Sequence, residues 1–171
     1  MAIGPDDRIF AVGRAENSVA MMSPDGVTEL VWGEYGDGAG RFRDPIAIAV
    51  DDSGRVFVAD RRLDRVQVFD RDGGYRRSIG RRGLYVGNFV RPKGVGVDED
   101  GHVYATESYY DHLLVFDGEG QFLLGIGGSG GGAGRFMLPA GVWPDARGRV
   151  FVADMMNARV VVLQYLGDAG E

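Results

Sequence analysis

The sequence predicts an all-β protein built from repeated four-stranded antiparallel units, and three observations carry this prediction. The heptapeptide GRVFVAD occurs at residues 54–60 and again at 148–154, a separation of 94 residues, or two periods of 47. Short apolar or alternating runs recur between Gly- and Asp-rich turns, as in a chain of antiparallel strands. The 29 glycines favour many tight turns over long helices, because glycine adopts positive φ without steric cost.

The 47-residue period holds along most of the chain, and positions that it relates are called equivalent below. Residues at the connections between units keep this register: Gly33, Gly80 and Gly127; Phe42, Phe89 and Phe136; Pro45, Pro92 and Pro139. A fixed period of this length is typical of a repeat architecture, in which each unit is one supersecondary element.

One complete unit shows the order of its elements. It reads IAIAV (46–50), the turn DDSG (51–54), RVFVA (55–59), the connection DRRLD (60–64), RVQVF (65–69), the turn DRDGG (70–74) and YRRSI (75–79). The first run is apolar throughout, as in a strand buried on both faces, and the last is the most polar. Four short strands per unit of this size predict a β-propeller blade whose first strand lines the channel and whose polar fourth strand forms the outer rim.

The blade boundaries predict one propeller domain over residues 1–171, with about three and a half blades. They are a partial blade at 1–33, blades at 34–80 and 81–127, and a blade at 128–171 without a clear outer strand, since residues 168–171 read Asp-Ala-Gly-Glu. An open half-ring exposes the faces of its end blades. A compact four-bladed ring, a homo-oligomer such as a dimer, or further blades in a longer chain would each close it, and the last two are favoured.

The units resemble the NHL repeat. The residues that carry the resemblance are DPIAIAVDDSGRVFVADRRLDRVQVFDRDGGYRRSIG at 44–80, and it extends over about residues 33–163. In place of the name-giving Asn-His-Arg triad stand Leu63-Asp64-Arg65, Tyr110-Asp111-His112 and Asn157-Ala158-Arg159. The resemblance implies a propeller that usually closes with about six blades. It also implies binding of RNA or protein on one face in some members, and a metal-dependent lyase or hydrolase activity in others.

One face of the predicted propeller is the candidate binding surface. Connections after the second and fourth strands of a meander emerge together, and here they hold more Arg and Lys than Asp and Glu; this is called the basic face, and the opposite, acid-rich surface the acidic face. Cations interleaved with aromatic rings can grip a peptide or a single-stranded nucleic acid. The candidate binding residues are Arg61, Arg62, Arg81, Arg82, Arg91, Lys93, Tyr109 and Tyr110. The net charge of −6 favours a protein or peptide ligand over nucleic acid.

A second set of residues recurs once per blade, which predicts a structural role, because an active site is usually asymmetric. Asp60, Glu107 and Asp154 end the second strands; Arg65, His112 and Arg159 begin the third strands; Gly54, Gly101 and Gly148 lie in the turns between the first two. The carboxylate and the cation are expected to link neighbouring connections.

No catalytic constellation emerges from the sequence. The chain has no cysteine and only two histidines, too few for a three-histidine zinc site. Its acidic turns lack the Glu and flanking helices of an EF-hand. We therefore expect no enzyme activity, metal or cofactor, and a scaffold for protein or peptide binding or for self-assembly. The alternatives are a propeller lyase or hydrolase with a metal at the channel mouth, and RNA binding through the basic face.

Hydropathy predicts no membrane span, because no run of apolar residues is long enough. The start MAIGPDDR lacks the basic and apolar segments of a signal peptide, which predicts a cytoplasmic location if Met1 is the natural start.

Overall fold

The computed structural model describes residues 1–164, which form four antiparallel sheets, one per blade. Blade 1 contains β1 (Ala2–Ile3), β2 (Ile9–Gly13), β3 (Ser18–Met22) and β4 (Thr28–Trp32). Blade 2 contains β5 (Pro45–Val50), β6 (Val56–Asp60), β7 (Arg65–Phe69) and β8 (Tyr75–Ile79). Blade 3 contains β9 (Pro92–Val97), β10 (Val103–Glu107), β11 (His112–Phe116) and β12 (Phe122–Gly127). Blade 4 contains β13 (Pro139–Pro144), β14 (Arg149–Asp154) and β15 (Arg159–Gln164).

Two short 3-10 turns, Pro5–Asp7 and Met155–Asn157, complete the secondary structure of the described residues. The predicted gap in the outer strand of the last blade, at 168–171, lies outside them. No helix within residues 1–164 is long and apolar enough to cross a membrane.

Each sheet is a meander in which strands pair in sequence order, so the all-β propeller predicted from the repeat is confirmed. In blade 2, for example, Val58 pairs with Ile48 on one side and with Gln67 on the other. The pairing of third and fourth strands shifts register at the same place in three blades, before Met22, Phe69 and Phe116. The repeat therefore fixes the irregularities of the sheets as well as their strands.

The inner strands lie side by side around the axis, with β5 against β9 and β9 against β13. The approach is closest at two glycines of β9. A Cβ at Gly94 would lie 2.1 Å from the carbonyl oxygen of Ala140, and one at Gly96 would lie 2.7 Å from Cδ of Pro144. The equivalent residues of β5 are alanines, Ala47 and Ala49.

The core consists of three apolar clusters, each between two neighbouring blades. The cluster between blades 2 and 3 contains Phe57, Val68 and Ile79 on one side and Leu114 and Phe116 on the other, all at most 1% exposed. Burial of such side chains contributes about 1.5–3 kcal/mol each. Each blade is thus stabilised mainly by its neighbours.

A buried phenylalanine anchors each connection between blades. Phe42, Phe89 and Phe136 are fully buried, and each connection carries an isolated bridge: Tyr35 with Phe42, Arg82 with Phe89 and Ser129 with Phe136. The ring of Phe89 covers Gly80, which has a φ of +72° and where a Cβ would lie 2.2 Å from the ring. Only glycine fits there, which accounts for the recurrence of this glycine.

The outer strands differ from one another more than the sequence pattern of one unit predicts. β8 carries the polar Arg76 and Arg77, in agreement with a polar rim. In β12, however, the apolar Phe122, Leu123 and Leu124 are 41%, 48% and 46% exposed. Blade 3 therefore presents an apolar outer edge.

Candidate functional site

The three repeated carboxylates are buried at the ends of the second strands, where they accept backbone N–H groups. Asp60 accepts the N–H of Arg43 at 2.7 Å and of Asp44 at 3.1 Å, so it ties its own blade to the connection that precedes it. Glu107 accepts the N–H of Arg91 at 2.7 Å. Asp154 accepts the N–H of Met137 at 2.7 Å. Buried carboxylates need such partners, because an unpaired charge in the interior is costly.

The cations that begin the third strands behave differently from one blade to the next. Arg159 Nε donates to Asp154 Oδ2 at 2.8 Å. Arg65 instead directs its guanidinium to backbone carbonyls, with Nη2 2.7 Å from the oxygen of Gly38. His112 lies opposite Glu107 in the strand pairing. In the described residues, an acid–cation ion pair at this register occurs in blade 4 alone.

The pKa of Asp154 shows how strongly its site favours the ionised form. Burial alone would raise this pKa, but a hydrogen bond from Asn157, the N–H of Met137 and the Arg159 guanidinium together hold it below its ordinary value. The residue is fully buried and satisfied, as expected of a structural carboxylate.

The repeated glycines close the turns between first and second strands. Gly54, Gly101 and Gly148 have φ values of +84°, +84° and +70°. Each donates its N–H to an aspartate carbonyl three residues earlier, at 2.9, 3.0 and 3.1 Å. Their position in the left-handed region explains why the turn uses glycine.

Of the candidate binding residues, Arg61 is committed to a contact between blades 1 and 2. Arg61 and Arg14 both pair with the buried Asp44, at 2.6 and 2.8 Å. Burial would raise the pKa of Asp44, but hydrogen bonds from the two arginines and their charges hold it below its usual range. Arg62 uses its backbone N–H to contact Asp60 Oδ1 at 3.0 Å, and its side chain is exposed.

Arg81 and Arg82 lie in the connection between blades 2 and 3 and are exposed. Arg81 Nε is 3.5 Å from Asn88 Oδ1, within its own loop. Arg82 Nε is 3.4 Å from Asp64 Oδ2, although the arginine side chain is 85% exposed. Burial raises the pKa of Asp64, while the Arg82 charge opposes that rise. A ligand carboxylate could compete for Arg82, since an exposed pair of this kind is weak.

Three of the candidate residues come together in blade 3. The guanidinium carbon of Arg91 lies 5.8 Å from the centre of the Tyr109 ring. The Tyr109 and Tyr110 rings meet edge to face with centroids 4.8 Å apart. Lys93 Nζ lies 3.7 Å from Met155 Sδ in blade 4. The cation and the two rings form an exposed surface suited to cation–π contact with a ligand.

Sequence reasoning missed an apolar departure from the repeat on the same face. Leu84, Tyr85 and Val86 stand where the equivalent loops have Asp37-Gly38-Ala39 and Gly131-Gly132-Ala133. They are 72%, 84% and 59% exposed. Aligning the three loops by the 47-residue period would have revealed this departure. Two of the loops have small or polar residues at these positions, and only the loop at 84–86 has large apolar ones. Exposed apolar side chains of this kind mark interaction sites.

A second feature lies on the acidic face, at the turn between β9 and β10. Asp98, Asp100 and His102 bring one ligand atom each to within 4.8 Å of one another, a spacing compatible with a metal ion. Both oxygens of Asp98 already have partners: Oδ1 accepts the N–H of His102 at 2.8 Å, and Oδ2 lies 2.9 Å from the Tyr104 hydroxyl. The sequence predicts a structural turn here, and these hydrogen bonds account for its conformation.

Residues 42–69 match the NHL repeat. The match begins at the buried Phe42 and runs through β5, β6 and β7 to Phe69, the first three strands of blade 2. No curated protein matches the sequence.

Solved structures with the same fold are considerably longer. Streptogramin B lyase is 11% identical, with a TM-score of 0.68 over 98% of this chain and 54% of its own. A chain of the nidogen–laminin complex is 21% identical, with a TM-score of 0.68 over 97% of this chain and 65% of its own. Hydrazine synthase of Kuenenia stuttgartiensis is 18% identical, with a TM-score of 0.65 over 95% and 48%. The chain thus spans about half the length of the lyase. These similarities show the β-propeller fold, which enzymes and binding proteins share.

Proposed function

We propose that this chain is a non-catalytic propeller module that completes its ring by docking its last blade on the first blade of a second copy. The proposal rests on the two end faces of the ring segment, one on blade 1 and one on blade 4. Most of their side chains correspond to side chains of the buried interfaces, but within residues 1–164 no further blade covers them.

The free face of blade 4, the trailing face, consists of Trp143, Phe151, Ala153, Val160 and Val162. Phe151 pairs with Val162, and Ala153 with Val160, so these side chains project on the same side. Trp143 joins them with its ring 5.3 Å from that of Phe151. Trp143, Val160 and Val162 are 62%, 62% and 52% exposed. A patch of this kind on a soluble domain marks an interface.

The equivalent residues in blade 2 show what the trailing face is built for. Phe57, Ala59, Val66 and Val68 occupy the same register and are fully buried against blade 3. Their strand pairing is also the same, Phe57 with Val68 and Ala59 with Val66. Four of the five residues of the trailing face therefore have the composition and spacing of an interface between blades, while the fifth, Trp143, stands where blades 2 and 3 have Ala49 and Gly96.

The free face of blade 1, the leading face, consists of Ile9, Ala11, Ala20, Met22 and Val31. Ile9 pairs with Met22, and Ala11 with Ala20, which places them on one side of the sheet. In blade 3 the equivalents of the first four are Val103, Ala105, Leu114 and Phe116, which pack against blade 2. The leading face is thus the natural counterpart of the trailing face. A head-to-tail contact of this kind closes into a ring when the rotation between successive copies is a whole fraction of a full turn.

The comparison with longer propellers supports the same conclusion. The chain aligns over 98% of its length with only 54% of streptogramin B lyase. Two copies would supply about eight blades, at the upper end of ordinary propellers.

The test is the native mass in solution, by light scattering after size exclusion at two concentrations. We expect twice the 18.5 kDa of one chain. The double variant Val160→Asp and Val162→Asp should give a folded monomer, because four charges would be buried in each dimer. The matched control is Val27→Asp, at a valine that is 64% exposed in the connection between β3 and β4 and is not among the residues that define either end face. A wild-type monomer, or equal masses for the two variants, would overturn the proposal.

A second candidate function, peptide recognition on the basic face, is favoured by Leu84, Tyr85 and Val86 beside the arginines. Replacing these three with Asp, Gly and Ala gives this loop the sequence of residues 37–39, the equivalent connection between blades 1 and 2. The change removes no buried residue. Selection of a displayed peptide library against both proteins should enrich peptides that bind the wild type and not the variant. Equal enrichment would exclude this loop from the binding surface.

A further inference from the structure

A cavity lies between blades 3 and 4, where it is bordered on the acidic face by two turns. Its volume is about 360 Å³. The apolar lining comes from both blades: Leu113, Val115, Leu124 and Ile126 from blade 3, and Val150 and Leu163 from blade 4. Its polar lining includes Asp98, Asp100, His102 and Tyr104. The volume falls in the lower part of the usual range for small-molecule sites, about 300–1,000 Å³.

The cavity coincides with a departure from the repeat at position 163. The equivalent residues, Phe69 and Phe116, are fully buried or nearly so in the other two interfaces. The Phe116 ring packs 5.6 Å from Phe89 and 5.8 Å from Phe122. In blade 4 the smaller Leu163 takes this place. Removing a ring from a packed interface leaves space, because the surrounding structure relaxes only in part.

A second departure leaves the polar end of the cavity acidic. In blades 2 and 4 an arginine neutralises the aspartate of the turn, with Arg55 and Arg149 each 2.6 Å from Asp51 and Asp145. Blade 3 has His102 at this position, with Nδ1 3.0 Å from Asp98 Oδ2. Glu99 and Asp100 follow in the same turn and are exposed. The turn therefore concentrates acidic side chains without an arginine of its own, and the guanidinium of Arg55 in blade 2 lies near its Gly101, where a Cβ would be 3.5 Å from Nη2.

A third departure points a hydroxyl at the same carboxylate. Tyr104 replaces the phenylalanines Phe57 and Phe151, and its hydroxyl donates to Asp98 Oδ2 at 2.9 Å. This contact holds the carboxylate at the border of the apolar cavity. Three departures from the repeat thus converge on one place, where the equivalent positions hold phenylalanine, arginine and phenylalanine.

We propose that this cavity binds a small organic cation, an alkyl or arylalkyl ammonium whose apolar body occupies the space that Leu163 leaves. The carboxylates of Asp98 and Asp100 would face the ammonium group, since charge-assisted hydrogen bonds are the strongest available to it. The apolar walls would hold the body by burial. This site is independent of the end-blade docking, because neither end face contributes to its lining.

The test compares 2-phenylethylamine with 2-phenylethanol, which has the same shape without the charge. Each is titrated into the full chain in buffer containing EDTA and followed through the methyl NMR signals of Leu124 and Ile126. We expect saturable shifts of these methyls with the amine and at least about tenfold weaker binding of the alcohol, a difference of about 1.4 kcal/mol. Equal affinity for the two compounds, or no saturable shift of these methyls with the amine, would overturn the proposal.

Two variants locate the site. Leu163→Phe restores the repeat residue and should abolish the methyl shifts, because the ring would fill the cavity. Asp100→Asn changes an exposed residue, so it tests the charge even if the first variant fails to fold, and should weaken the amine several-fold while leaving the alcohol unchanged. Asp52→Asn, in the equivalent turn of blade 2, is the matched control and should have no effect. Undiminished amine binding to folded Leu163→Phe, or equal losses from Asp100→Asn and Asp52→Asn, would contradict the site.

Discussion

The interface between blades 2 and 3 and the interface between blades 3 and 4 use equivalent positions, yet one is filled and the other contains a cavity. In the first, Phe89 and Phe116 pack with ring centroids 5.6 Å apart. In the second, Phe136 is retained but Leu163 replaces the other ring, and a volume of about 360 Å³ remains. The repeat thus determines which residues meet, while the size of individual side chains determines whether the interface is fully packed.

The two interfaces also differ in their polar contacts near the axis. Thr106 Oγ1 donates to the carbonyl oxygen of Ala140 in blade 4 at 2.5 Å and accepts the N–H of Gly94 at 2.8 Å. The equivalent residue facing blade 3 is Ala59, which makes apolar contacts alone. At this position the interface with the cavity has a partly buried hydrogen bond between its blades, and the filled interface has an alanine instead.

The largest effect should come from emptying the filled interface. Phe116→Ala is expected to lower the free energy of unfolding by about 3–5 kcal/mol, because it removes a ring that is 1% exposed. Leu163→Ala is the matched change in the other interface and should cost less, since Leu163 already borders a cavity. Urea unfolding followed by tryptophan fluorescence measures both. Equal losses would contradict the difference in packing.

The second prediction contrasts two buried aspartates. The pKa of Asp154 is held low in the folded chain, so the stability it contributes is present above its unfolded pKa of about 3.9 and is lost as the pH falls through the folded value. Asp154→Asn should therefore cost about 2 kcal/mol at neutral pH and much less in acid.

Asp64 should respond in the opposite direction, because burial raises its pKa. Its contribution is present below its unfolded pKa and is lost as the pH rises through the folded value. Asp64→Asn should then be neutral or stabilising at pH 7 and without effect in acid. Asparagine also tolerates the φ of +52° at this position, as Asn17 does at +54° in blade 1. Unfolding curves at pH 7 and pH 3 decide both signs, and parallel responses of the two variants would refute them.

A smaller loss is expected from Thr106→Val, which keeps the shape of the side chain and removes its hydroxyl. The partly buried carbonyl of Ala140 and the buried N–H of Gly94 would both lose the Thr106 hydroxyl as a partner, at a cost of about 1–2 kcal/mol. The control is Ala59→Ser, which adds a hydroxyl at the equivalent position of the filled interface. If Thr106→Val unfolds at the same urea concentration as the wild type, the hydrogen bond does not stabilise this interface.

The smallest effect should be a gain. Leu163→Phe is expected to raise the free energy of unfolding by about 1 kcal/mol, because the added ring buries apolar surface in existing space. Thermal unfolding with and without 2-phenylethylamine checks this, since the amine should stabilise the wild type alone. A destabilised variant would mean that the cavity cannot accept the ring the repeat predicts.

Much of the architecture can be predicted from the sequence because the same residue types recur wherever the same structural requirement recurs. Gly80 and Phe89 recur with their equivalents since a ring covers a left-handed glycine in every connection. The contact of Arg14 and Arg61 with Asp44 could not be predicted, because the equivalents of Asp44 are Arg91 and Leu138 and the pattern occurs once. The cavity could not be predicted for a related reason. It depends on Leu163, a position where the sequence departs from the repeat, and the repeat pattern gives no information about such positions.

The two glycines of β9 bear on the geometry of the whole ring. At Gly94 the backbone of blade 4 approaches to a distance that no side chain would permit, and at Gly96 the ring of Pro144 does so, whereas alanines separate blades 2 and 3 at Ala47 and Ala49. One missing methyl group at each glycine lets the inner strands of blades 3 and 4 lie closer together than two alanines would allow. In the ring that we propose, the spacing of the inner strands near the axis would be one determinant of how many blades complete the circle.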